Sequence, residues 1–118
     1  MQVENVIAFA ADQEPAGLEI RVNFGVFAGR HATSAEIEEL GKLLVPEAGE
    51  VSIVAEERHE MTEGGAEVVL HQVRVSVSPD QVPDDPVERK EFCERLVTLA
   101  EIWTRQCISD RHAEITDV

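Results

Sequence analysis

A chain of 118 residues with 43% hydrophobic side chains is long enough to enclose a core unaided and too apolar to remain disordered. Its 24 acidic and 10 basic residues give a formal charge of −14, shared evenly between residues 1–59 and 60–118, so no acidic tail is set apart. A field of that sign repels phosphate backbones, which argues against nucleic-acid binding and favours plain solubility or a basic protein partner.

The chain opens with VENVIAFAA (3–11), a weak strand candidate, followed by turn-forming DQEPAG (12–17). LEIRVNFGVF (18–27) alternates strictly, with Leu18, Ile20, Val22, Phe24 and Val26 on one side, and reads as a half-buried strand pairing back in a hairpin. ATSAEIEELGKLLVPEAG (32–49) is a helix with marked ends. Thr33 and Glu36 form a capping box, Ile37, Leu40, Leu43 and Leu44 share a face, and Pro46 and Gly49 stop it. EVSIVAEERHEM (50–61) and AEVVLHQVRVSVS (66–78) are strands joined through TEGG, where Gly64 and Gly65 can supply positive φ. A three-residue loop, Glu63 to Gly65, sets odd residues opposite odd residues and makes Val69, Val73, Val75 and Val77 the buried row.

SPDQVPDDP (78–86) is a connection, and Asp85, Pro86 and Glu88 mark the start of a second helix over 86–108. Its apolar stripe is Phe92, Leu96, Leu99, Trp103 and Cys107, flanked by Val87, Cys93 and Ala100. Residues 109–118 read as a flexible tail with a short strand at 113–116. The order ββαββα predicts a single α+β domain over 1–118: a four-stranded antiparallel sheet with two helices on one face. Without the first hairpin it reduces to βαββα, a ferredoxin-like layout.

Cys93 and Cys107 would stand ~21 Å apart along that helix, beyond disulfide reach, so both read as core thiols of a reducing compartment. The N-terminal AFAA mimics a cleavage site but lacks a cationic flank, and no run approaches the ~20 apolar residues of a membrane span. A cytoplasmic protein is the expectation, with no membrane and no cofactor.

Four features could carry function. RHEMTE (58–63) misses the H-E-x-x-H zinc signature by one residue, since Glu63 stands where the second histidine belongs, and a strand cannot present that spacing to one metal. On the same hairpin, Glu57 falls opposite His71 with His59 two residues along, a candidate metal or ligand cluster that a metal-dependent enzyme could use. GVFAGRHATS (25–34) places Arg30, His31 and Thr33 before a helix start, a candidate anion site without P-loop spacing. Finally, Arg21, Arg58 and Arg74 point away from the helices together with Val54, Val68 and Leu70. Cross-strand glutamates explain the arginines, but exposed aliphatics among them mark an interaction face.

No nucleophile arrangement is discernible, and the terminal Thr116-Asp117-Val118 matches only a loose PDZ-type pattern. The reading is therefore a non-catalytic binding protein that forms a homodimer through its open sheet face. The rivals are an acidic inhibitor or immunity-type protein for a basic partner, the Glu/His enzyme, and an anion-binding regulator.

Overall fold

The computed structural model describes residues 7–13 and 17–116, and side chains within 7–11 and 17–110. Four strands, β1 (Ala8–Gln13), β2 (Gly17–Val22), β3 (Val51–Met61) and β4 (Glu67–Val77), form one antiparallel sheet in the order β1-β2-β4-β3. Among the described residues three α-helices accompany it, α1 (Phe24–Ala28), α2 (Ser34–Ala48) and α3 (Pro86–Thr116), with one 3-10 turn at Pro79–Gln81. This is the expected α+β architecture with one short helix added. Residues 3–6 of the first predicted strand, and 14–16 of its turn, lie outside the described residues.

The alternating pattern of 18–27 holds only to Val22. Asn23 leaves the strand and Phe24–Ala28 turns into α1, which Gly29 ends at φ 73. The break has a packing cause. A Cβ on Gly25 would come within 2.8 Å of the His71 Cβ, so the α1 backbone lies directly against β4 there. Phe24 remains buried, but Val26 does not follow it inward and is 52% exposed.

The start of α2 forms as the sequence indicates. The Thr33 hydroxyl accepts from the Glu36 N–H at 3.2 Å, and the Glu36 carboxylate accepts from the Thr33 N–H at 2.8 Å. Pro46 does not stop this helix. It lies in the last turn, which continues through the buried Ala48 to Gly49, whose N–H donates to the Val45 carbonyl at 2.9 Å. Asp85 caps α3 by accepting from the Val87 and Glu88 N–H groups. α3 then runs through Thr116, where a tail with a short strand was expected, because nothing between 109 and 116 breaks a helix. Residues 117 and 118, and with them the end of the Thr116-Asp117-Val118 pattern, lie outside the described residues.

The core is one layer between sheet and helices. Leu18, Ile20 and Val22 face Val77, Val75 and Val73 across the β2–β4 ladder. Leu40, Leu44, Phe92, Leu96, Ala100 and Trp103 cover them. Each large side chain so enclosed contributes roughly 1.5–3 kcal/mol. Trp103 also ties α3 to α2, donating its indole N–H to the Glu36 carbonyl at 2.8 Å and stacking on Phe24 at 5.1 Å. Val87, expected beside the stripe, is instead 65% exposed. No helix among the described residues is long and apolar enough to cross a membrane.

The strands are unequal, and this positions the candidate sites. β3 and β4 pair over eleven residues each, but β4 pairs with β2 only through Val73–Val77. The distal hairpin therefore projects past the sheet, and every residue from Arg58 to Val69 is exposed.

Candidate functional site

The outer face of the sheet, turned away from α2 and α3, carries alternate residues of β2, β3 and β4. Near the core it is sealed by ion pairs. Arg21 stands opposite Arg74, a like-charge pair that alone would be destabilising. Glu19 resolves it: buried at 6% exposure, its carboxylate accepts from the Arg21 Nε and lies 3.6 Å from Arg74 Nη1. Arg74 reaches Glu56 with its other terminal nitrogen, also at 3.6 Å. Beside them Gln72 donates to the Asn23 side chain at 2.7 Å, both buried. Arg21 and Arg74 are thus partly covered members of a network, and the face is less open at this end than its alternation implied.

Farther along the hairpin the face does open. Val54, Arg58 and Val68 are exposed and Leu70 is half-buried. Register places Arg58 opposite Leu70 and Glu60 opposite Val68, while Arg58 Nε pairs along its own strand with Glu60 at 2.8 Å. Three arginines and three glutamates share this face, so it is neutral within a chain of charge −14. Ser52 and Ser76 stand opposite one another at its inner end.

The helix-side face of the projecting hairpin carries the second group. Glu57 lies opposite His71 in the observed register. His31, which sequence spacing assigned to the anion site, arrives from the α1–α2 loop and packs against His71, with ring centroids 3.7 Å apart and planes tilted by 54°. Its Nε2 is 4.0 Å from Glu57 Oε1. His59 sits one step outward, its Nε2 3.8 Å from Glu57 Oε2 and its Nδ1 hydrogen-bonded to the Glu67 carboxylate. The ligand-type residues that converge are therefore His31, Glu57 and His71, with His59 behind the carboxylate.

Arg30, His31 and Thr33 do not converge on one point. Arg30 forks onto Glu36 with two bonds of 2.8 Å, Thr33 caps α2, and His31 turns to the hairpin. The Arg30 guanidinium holds the Glu36 carboxyl down at about 2, against the opposing effect of burial, with help from Thr33 and Cys107. An internal carboxylate thus already occupies the position an anion would take. The convergence of His31 with the hairpin was not legible from spacing, because it depends on α1 folding back over His71.

Comparison with known proteins adds no relative: no family model matches the chain, and neither a curated protein nor a solved structure does.

Proposed function

We propose that this chain is a small non-catalytic binding protein that pairs with a second copy of itself through the outer face of the β3–β4 hairpin. The observation that carries this reading is charge balance on an apolar patch. Two chains of charge −14 repel over most of their surface. Where Arg58 and Glu60 offset one another beside Val54, Val68 and Leu70, that repulsion is locally absent and aliphatic surface is available. A two-fold axis through such a face also lets each copy's Arg58 approach the other's Glu60.

Pairing along the free edge of β3 is the less favourable route. Glu56 through Glu60 make that edge a run of charged and imidazole side chains, the usual protection against strand addition. The two free thiols suit a reducing compartment, in keeping with a cytoplasmic protein.

Sedimentation velocity at micromolar concentration should report a dimer, and Leu70→Glu a monomer with unchanged circular dichroism. Added salt should strengthen the dimer by screening the net repulsion. An unmutated protein that remains monomeric up to ~100 µM in 0.15 M salt would sink the proposal. A second reading, inhibition of a basic protein, draws on an open depression of ≈ 470 Å³ where Glu47, Glu91 and Glu94 outnumber Arg95, which pairs with Glu47 at 3.5 Å. A complex formed there would weaken with salt, the opposite response.

A further inference from the structure

We propose that His31, Glu57 and His71 bind one divalent transition-metal ion of the zinc class. The three come from separate segments, and the fold brings one ligand atom of each within 4.8 Å of the others. A tetrahedral ion with bonds of ~2.0–2.1 Å separates its ligand atoms by ~3.3 Å. Closing the difference takes side-chain rotation rather than backbone movement. His31 and Glu57 have that freedom, being more than half exposed.

Three features of the surroundings favour a built site over a chance meeting of surface groups. His71 is held by the close approach of Gly25, and its Nδ1 is buried without a hydrogen-bond partner among the described residues. A buried imidazole nitrogen left in that state costs about 1–3 kcal/mol, so it needs a role. His31 is fixed through its backbone, because Arg30, already forked onto Glu36, also donates to the His31 carbonyl at 2.9 Å. Glu57 is backed on its other oxygen by His59, itself oriented by Glu67. His59 stands 3.8 Å from that oxygen, an ion-pair distance, and its own hydrogen bond to Glu67 holds the ring there, the kind of outer layer that orients ligands in metal sites.

The ligand chemistry selects the ion. Two imidazoles and one carboxylate suit zinc, nickel or copper, whereas calcium and magnesium require mostly oxygen ligands in larger number. His31 and Glu57 are more than half exposed, so an ion can reach the group from solvent. The group lies on the helix side of the hairpin and the proposed dimer face on the other, so the two proposals stand or fall separately.

Titration calorimetry of the untagged, metal-free chain with zinc chloride tests this. One zinc per chain is expected, with magnesium giving no heat. His31→Ala and Glu57→Gln should each weaken binding at least tenfold while the urea midpoint of the metal-free protein stays unchanged. His59→Ala should weaken it less than either. Absence of zinc binding at 100 µM metal, or equal affinity in the wild type and His31→Ala, would overturn the assignment. Should His71→Ala disturb folding, His31→Ala still decides, since its ring is largely exposed.

Discussion

Replacing Glu36 with Gln removes one negative charge and one arm of the Arg30 fork, while the amide oxygen can still accept from the Thr33 N–H and from the other Arg30 nitrogen. The carboxyl has an ordinary value of 4.5 and is held at about 2, chiefly by the Arg30 fork. Converted at 1.36 kcal/mol per tenfold, that gap sets a ceiling of ~3 kcal/mol. Solvent reaches both partners, at 20% and 25% side-chain exposure, so screening reduces the expected contribution to ~1–2 kcal/mol. A depressed folded-state value means the contribution is fully present above about 4.5 and fades as pH falls toward about 2. Urea unfolding of wild type and Glu36→Gln, followed by Trp103 fluorescence between pH 7 and pH 3, reads this directly. The stability difference should be ~1–2 kcal/mol at pH 7, constant down to near 4.5, and shrinking below it. Taking the difference cancels the other carboxylates. A gap under ~0.5 kcal/mol at pH 7, or one that does not change between pH 6 and pH 3, refutes the argument.

Two further outcomes can be checked with small panels of variants and reagents. Burial first, and the neighbouring Glu36 carboxylate second, push the Cys107 thiol up to about 12, so only ~10⁻⁴ of it is thiolate at pH 8. In the native protein at that pH a disulfide reagent should therefore leave Cys107 unmodified, as mass spectrometry would show, until denaturant is added. Gly25→Ala should destabilise the protein by ~1–3 kcal/mol, since its new methyl meets the His71 Cβ at 2.8 Å and the His71 carbonyl oxygen at 3.0 Å. Thermal melting measures the loss, and an unchanged midpoint would mean α1 does not rest on β4 as described.

Most of the fold was legible because two periodicities dominate the sequence. Period two along Val73, Val75 and Val77, combined with the three-residue turn, fixed the β3–β4 register and hence Glu57 opposite His71. Thr33 and Asp85 marked the starts of α2 and α3 through cap chemistry that depends on neighbours within a few residues. What escaped was non-local. Alternation through Phe24 and Val26 mimics a strand, and only contact with His71 shows that Gly25 turns the chain there. His31 could not be placed beside Glu57 without that turn. Proline in the last turn of α2 looked like a stop signal, but the helix end is decided by Ala48 entering the core and by Gly49 taking φ 71.

A hairpin that outreaches its sheet has no structural duty at its tip. Substituting Met61, Val68 or Val69 would remove no packing from the interior, and swapping any of them for lysine would make the chain more soluble. Selection for folding alone would be indifferent to greasy residues in that position, or hostile to them. On the reading proposed above, the arm is the working end of the molecule and the compact remainder its handle.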